Sequence, residues 1–355
     1  MYHPHEMQTS TAGNCLDPLR DPKTVLVAQL AFIGDMVFAT PLFDAIAERW
    51  PGARLVVVGR PAAVKLLSAH PAVGMTLEYD KHGVHRGLTG LWSLGRAIRG
   101  LTPDLFIGLS RSQRTSILAR ISGAAVRVGF GSGRLAYTHR VRQAHREIPF
   151  AERGSALLRA IGVEVPSRPL HLEIDIAARA NGRARLEALG WRGRPLIAVS
   201  PGAHYATKRW PPSHVSDFLD RVAAHDRWDV ALYGGPEEDD LIDRLVQAHP
   251  WVLDRRSLPF AETMEEFCSA SLHLGGDSGP THIARALGVP AVLLLGPTPQ
   301  HPLGEDSGRT IVSLNLECQP CSGSGDAKCP LDHHACMERL SAELVFRAVS
   351  ELLPR

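Results

Sequence analysis

Short apolar runs separated by amphipathic segments, in two successive series along 355 residues, constrain this chain more than any other feature. "VLVAQL" (25–30), "RLVVVG" (54–59) and "LFIGLS" (105–110) suit strands buried on both faces of a parallel sheet. Helical segments fit around 37–49, 61–69, 87–99 and 151–161. Residues 162–195 then mix Pro, Gly and Arg with one helical piece near 177–189. The alternation restarts with "PLIAVS" (195–200), "DVALYGG" (229–235), "LHLGG" (272–276) and "AVLLLG" (291–296). Helices fit there near 212–225, 237–249, 262–270, 280–287 and 341–352. A chain of this length exceeds what one core usually serves. The pattern therefore predicts two doubly wound, Rossmann-like α/β domains facing a cleft, with ligands at the carboxyl ends of the strands. Expected boundaries are a disordered tail (1–23), a first domain (24–165), a connection (166–194), a second domain (195–340) and a terminal helix (341–355).

Composition narrows the partners. No run of about 18 apolar residues is present, so no segment reads as membrane-spanning. The first 23 residues lack the apolar core of a secretory signal. A cytoplasmic protein with reduced cysteines is the expectation. A net charge of +2 and the lack of aromatics interleaved with basic residues argue against nucleic acid.

The second series carries loops suited to a phosphate. "GGDSGPTHIARALGVP" (275–290) follows a strand and opens a helix, with Pro280 suited to its start and Gly288 to its end. Free backbone N–H groups and the positive end of the helix dipole bind anions there. Thr281 and His282 can add donors, while Asp277 or Ser278 could equally be a plain cap. "SPGAHYATKRWPP" (200–212) presents Lys208 and Arg209 at the same end of the sheet, where a lysine can neutralise a diphosphate. After the next strand, Glu237 or Glu238 could accept from ribose hydroxyls or simply answer a helix dipole.

The first series looks different. Leu105–Arg146 holds eight arginines (111, 114, 120, 127, 134, 140, 142, 146) and no acid. Such a field attracts anionic partners, and arginine forks suit phosphate and carboxylate; the other reading is that several of these arginines pair with acids elsewhere in the fold. Arg111 and Arg114 stand out, because "LSRSQRT" follows a strand and opens a helix. Further back, Asp35 follows Gly34 ahead of an apolar helical run and fits an N-cap. Near the C-terminus Cys318, Cys321, Cys329 and Cys336 are spaced C-x2-C-x7-C-x6-C, as in a structural tetrathiolate zinc or iron site. His333 and His334 are alternative ligands, and four reduced, unliganded thiols are the other reading.

Taken together, "IGDMVFATPLFDAI", "SPGAHYATKRWPPSHVSDFLDRV", the Gly-Gly-Pro-Glu block and "GGDSGPTHIARALGVPAVLLLGPT" resemble glycosyltransferase family 9, the ADP-heptose:lipopolysaccharide heptosyltransferases. The resemblance runs from about residue 24 to the end. It implies a GT-B fold, a donor nucleotide held mainly by the C-terminal domain, and inverting transfer without a catalytic metal. Lys208 falls on the lysine near the donor diphosphate, and Asp277, Ser278, Gly279 and His282 fall on the block lining the donor pocket. Asp35 falls on the proposed base. Many members carry Thr or Ser where this chain has Ala203-His204, which leaves His204 to replace a hydroxyl contact. The implied acceptor is a phosphorylated, Kdo-bearing lipid A core, met at the cytoplasmic face of the inner membrane by peripheral contact. Many members also carry a cysteine block at this C-terminal place. A GT-B nucleotide-sugar epimerase and a non-catalytic nucleotide-sugar-binding protein remain alternatives.

Overall fold

The computed structural model describes residues 21–131, 135–141, 148, 150–166, 168–300 and 309–353. Most of the tail expected over 1–23, and Arg134, Arg142 and Arg146, lie outside them. The chain forms two compact units that part between Leu170 and His171.

In the first unit the elements run β1 (Thr24–Gln29), α1 (Ile33–Val37), α2 (Thr40–Arg49), β2 (Arg54–Gly59), α3 (Pro61–Lys65), β3 (Met75–Glu78), α4 (Gly87–Gly100), β4 (Leu105–Gly108), α5 (Gln113–Ser122), β5 (Val126–Phe130), β6 (His139–Val141) and α6 (Arg153–Arg159). The strands form one parallel sheet in the order β3-β2-β1-β4-β5-β6. Val27 lies level with Val57 on one side and Ile107 on the other, and β1 is buried from Val25 to Gln29, so the central strand is covered on both faces. Ser112 caps α5 by accepting from the Arg114 N–H at 3.2 Å, and Gly123 ends it with φ +74°, a left-handed conformation that favours glycine. The helix expected over 37–49 is two pieces. Thr40 Oγ1 donates to the Val37 carbonyl at 2.8 Å where α1 gives way to α2.

The second unit continues with α7 (Ile176–Ala188), β7 (Leu196–Ser200), α8 (Pro212–His225), β8 (Asp229–Gly234), α9 (Asp239–Ala248), β9 (Leu253–Arg256), α10 (Phe260–Phe267), β10 (Leu272–Gly276), α11 (Gly279–Ala286), β11 (Ala291–Leu294), β12 (Arg309–Val312), α12 (Ala335–Glu338) and α13 (Ala342–Leu352). Its parallel sheet has the order β12-β11-β10-β7-β8-β9. Counted within the unit, this is the arrangement of the first sheet again. The core gathers Phe218, Trp210, Trp228 and Val345 between the sheet and helices α8 and α13. Trp210 Nε1 donates to the Leu340 carbonyl at 2.8 Å, bolting the segment after the cysteines to the start of α8. α7 packs on α10, where fully buried Glu266 is held by Arg255 at 2.5 Å, Arg185 at 3.2 Å and the Tyr233 hydroxyl at 3.1 Å. That arrangement satisfies a buried charge that would otherwise be costly.

Strand order reverses between β1 and β4 in one sheet and between β7 and β10 in the other. Such switch points leave a crevice beyond the strand ends. The loops after these four strands carry Asp35, Arg111 and Arg114, Lys208, and Asp277.

Candidate active site

In the second unit Asp277 is a hub. β10 ends at Gly276 and α11 starts at Gly279, which leaves Asp277 and Ser278 in the turn. One carboxylate oxygen accepts from His282 Nε2 at 3.0 Å. The other accepts from Thr298 Oγ1 at 2.8 Å and pairs with Lys208 Nζ at 2.8 Å. Burial opposes ionisation of Asp277, yet the His282 hydrogen bond and the Lys208 charge outweigh it and hold the carboxyl far below the usual range. Burial pushes His282 down, more than Asp277 lifts it. The partners set its tautomer: Nε2–H donates to Asp277, and Nδ1 accepts from Arg285 at 3.3 Å. Beneath the hub, buried His273 meets Ser200 Oγ at 3.1 Å, and burial lowers its pKa to about 3.

Ser278 is the N-cap of α11, and its buried Oγ lacks a hydrogen-bond partner among the described residues, at the helix end suited to an anion. Thr281, expected as an anion donor, is fully buried and gives its hydroxyl to the Gly276 carbonyl at 2.7 Å, bracing the turn. Pro280 takes the second helical position rather than the first, and Gly288 follows the helix with φ +79°. His204 is exposed, edge-on to Tyr205 with centroids 4.8 Å apart. Glu237 is exposed too, while its neighbour Glu238 accepts from the Gly235 N–H at 2.8 Å. A side chain at Gly202 would collide with Glu238, so the two loops approach closely there.

The cysteine segment backs the Lys208 loop. Thr207 Oγ1 donates to the Asp326 carbonyl and accepts from the Asp326 N–H, both at 2.9 Å. His334 donates to the Thr207 carbonyl at 2.8 Å, and Lys208 Nζ reaches the Ser324 carbonyl at 3.3 Å. Gly325, at φ +96°, lies so close that a Cβ would meet the Lys208 stem at 2.6 Å. Burial pushes the Cys336 thiol up to about 11, and Cys321, Cys318 and Cys329 add to the rise, so the four thiols share one neighbourhood. No three of these sulfurs lie within 4.8 Å of one another. A tetrahedral tetrathiolate would draw them to about 3.8 Å.

In the first unit, Asp35 is not the N-cap that its local sequence suggests. It is the third residue of α1, and its Oδ2 accepts from the N–H of the capping residue Phe32 at 3.1 Å. That leaves the cap position to a residue with no polar side chain. Buried Gln29 ties the loop down, donating to the Asp35 carbonyl at 3.4 Å and accepting from the Ala31 N–H. Two arginines that sequence reasoning passed over border the loop. Arg60 donates to the Leu30 carbonyl at 3.3 Å and lies over the Phe32 ring. Arg153 lies 3.7 Å over the Phe150 ring, and Phe150 stacks on Phe38 just after α1. Burial lowers the Arg153 pKa to about 10, and the Asp35 charge pulls it back up. Arg111 and Arg114, at the start of α5, are exposed.

A family model described as glycosyltransferase family 9 (heptosyltransferase) matches residues 91–331, more than half the chain and all of the Asp277 hub. This chain belongs to glycosyltransferase family 9. Among curated relatives, lipopolysaccharide heptosyltransferase 3 of Escherichia coli is 24% identical over 76% of this chain and 82% of its own length. Lipooligosaccharide heptosyltransferase 2 of Campylobacter jejuni is 23% identical over 91% and 96%. Of solved structures, a family 9 glycosyl transferase from Veillonella parvula aligns with TM-score 0.82 and 22% identity over 93% of this chain and 97% of that one. E. coli ADP-heptose lps heptosyltransferase II aligns at 0.75 and 20%, over 93% and 98%. The E. coli heptosyltransferase WaaC, solved with ADP-2-deoxy-2-fluoro heptose, aligns at 0.67 and 17%, over 93% and 100%. The iron-containing dodecameric heptosyltransferase TibC aligns at 0.58 and 12%, over 94% and 76%. These likenesses give the family 9 enzyme the GT-B fold. Asp35 precedes the matched span. Among the described residues no helix is long and apolar enough to cross a membrane.

Proposed function

We propose that this glycosyltransferase transfers a heptose from ADP-heptose to an anionic, inner-core lipopolysaccharide acceptor, with inversion at the anomeric carbon. The observation that carries the reading is the Asp277 hub, which fixes Lys208 beside the N-terminus of α11 and beside the buried, unpartnered Ser278 hydroxyl. An ADP diphosphate fits there, with the Lys208 ammonium and the first N–H groups of α11 as its partners. A structural neighbour, WaaC, was solved with ADP-2-deoxy-2-fluoro heptose, which supports an ADP-sugar as the donor here.

In the reaction, the Asp35 carboxylate takes the proton of the acceptor hydroxyl as that oxygen bonds to the anomeric carbon. The bond from that carbon to the diphosphate oxygen breaks, and ADP leaves with the electron pair. Charge develops on the diphosphate, where fixed donors count most. Lys208 and α11 supply them, so the chemistry runs without a catalytic metal. Arg111 and Arg114 meet the acceptor's phosphates or carboxylates. Family membership favours transfer over epimerisation or binding alone.

The four cysteines form a structural zinc or iron site in this reading, closing a segment that already holds the Lys208 loop through Thr207. Metal analysis of untagged protein checks this, and less than about a tenth of an equivalent of zinc or iron rejects it. The enzyme works in the cytoplasm, peripheral to the inner membrane. The whole reading is tested by incubating the protein with ADP-heptose and heptose-deficient lipopolysaccharide cores under mass detection. One added heptose, with ADP released only when acceptor is present, is the expected result. No mass gain on any such core sends the search to a protein or another glycan.

A further inference from the structure

One face of the first unit is apolar where it need not be. α4 buries Leu91, Leu94 and Ile98 in the core, which is enough to fix it to the sheet. Leu88 and Trp92, one turn apart on the other side of the same helix, are 78% and 58% exposed. Val84, in the turn that leads into α4, is 80% exposed, and Ile117 on α5 is 39% exposed. The two helices approach closely: a Cβ at Gly95 would meet Ile121 at 2.8 Å. Between them Leu88, Trp92, Ile117, Ile121 and Arg120 line an open groove of about 370 Å³.

Around this groove the charge has one sign. Arg86, Arg96, Arg99, Arg114 and Arg120 are exposed. No carboxylate occurs from Lys81 to Pro103, or from Leu105 to Arg146. The two acids that bracket the first stretch are already occupied. Asp80 accepts from the N–H groups of His82 and Gly83 at 3.1 and 2.9 Å. Asp104 accepts from those of Lys23 and Thr24 at 2.7 and 2.9 Å. A solvated helix of a soluble enzyme normally mixes both signs and carries no exposed Trp beside Leu. Apolar anchors with a tryptophan, rimmed by arginines alone, match the interface of an anionic bilayer, where rings sit at headgroup depth and each cation meets a lipid phosphate. A protein partner of equal charge complementarity would need an acidic side chain opposite each arginine and a pocket for Trp92.

We propose that the α4–α5 face seats the enzyme on an anionic lipid surface, with Val84, Leu88 and Trp92 entering the headgroup–acyl boundary and Arg86, Arg96, Arg99 and Arg120 among the headgroups. Its purpose rests on the lipid-linked acceptor proposed above: Ile117 stands one turn beyond Arg114 on α5, so a docked face continues into the residues assigned to the acceptor. The surface itself stands on exposure and charge alone.

The test is cosedimentation of the full-length protein with extruded vesicles of phosphatidylglycerol and phosphatidylethanolamine, against vesicles of phosphatidylcholine. Binding to the anionic vesicles is expected to be at least about tenfold tighter and to be reversed by high salt. Leu88→Glu with Trp92→Glu, and separately Arg96→Glu with Arg99→Glu, should each weaken it about tenfold or more. Both variants should keep wild-type circular dichroism and wild-type turnover on a delipidated, water-soluble core glycan. Equal binding to both vesicle types overturns the proposal, as do variants that bind like wild type. So does a wild-type dimer that Leu88→Glu with Trp92→Glu dissolves while vesicle binding persists, because the face then joins two copies of the chain. Vesicle binding as expected, with no transfer to any core acceptor, leaves this inference standing and rejects the acceptor reading instead.

Discussion

The two units share a strand order but hold their candidate residues in opposite ways. In the second unit Lys208, Asp277, His282 and Thr298 lock one another, and a distant loop clamps the lysine from behind. In the first unit Arg111 and Arg114 stand exposed, and Asp35 sits on a five-residue helix steadied through its backbone by Gln29. A small, invariant diphosphate rewards a rigid set of donors, because nothing must reorganise as charge develops. A large, branched acceptor is better met by long arginines with freedom to adapt. Under the proposed function, the contrast gives preorganisation to donor binding and adaptability to acceptor binding.

The sharpest way to break that contrast is at Asp35. Asp35→Ala should fold, bind ADP as wild type does, and lose about 10²–10⁴-fold in kcat, the range for removal of a general base. Near-normal turnover would reduce Asp35 to its hydrogen bond with the Phe32 N–H. A smaller effect is expected on the adaptable side. Reversing the charge at both Arg111 and Arg114 should raise the acceptor KM about 10–100-fold, the weight of one or two charge-assisted bonds. Donor KM should not move, and a change confined to the donor would put these arginines in the wrong half.

The smallest effect concerns the rigid side and acid. His273 is held neutral with a pKa of about 3 against an ordinary 6.5, so below 6.5 the unfolded chain takes up a proton that the folded one refuses. The stability that this burial contributes is therefore complete above pH 6.5 and falls by about 1.4 kcal/mol per pH unit as pH drops toward 3. His282, also lowered, acts in the same direction. Urea midpoints at pH 7.5 and 5.5 check the slope, which His273→Asn should flatten. An unchanged slope in that variant would place the acid sensitivity elsewhere.

Inner strands and the loops after them were legible because parallel strands buried on both faces read as unbroken apolar runs, such as Leu55–Val58; inner strand β5, "VRVGF", escaped because Arg127 breaks its run. Edge strands were not: β9 reads "LDRR" and β12 "RTIV", four residues each with charge or partial exposure, and β3 and β6 are as short. Asp277 and His282 were legible because they flank a glycine-rich turn, and Lys208 because its loop follows a strand at the same end of the sheet. Thr298 and the Thr207–Asp326 clamp were not, since their contacts join residues 21 and 119 apart and leave no periodic trace. Arg153 was hidden for the same reason, as only folding brings its charge to Asp35. Asp35 itself was read as a cap from its neighbours, but the helix starts at Ile33, which puts the cap at Phe32, three residues earlier.

Calorimetric titration of ADP in the presence of EDTA tests the preorganised donor site most directly. Wild type and Asp35→Ala should bind ADP alike, while Lys208→Ala should bind about 10–100-fold more weakly through loss of a charge-assisted contact. ADP that fails to bind wild type, or binds Lys208→Ala equally well, would contradict the assignment of the Asp277 hub to the donor diphosphate.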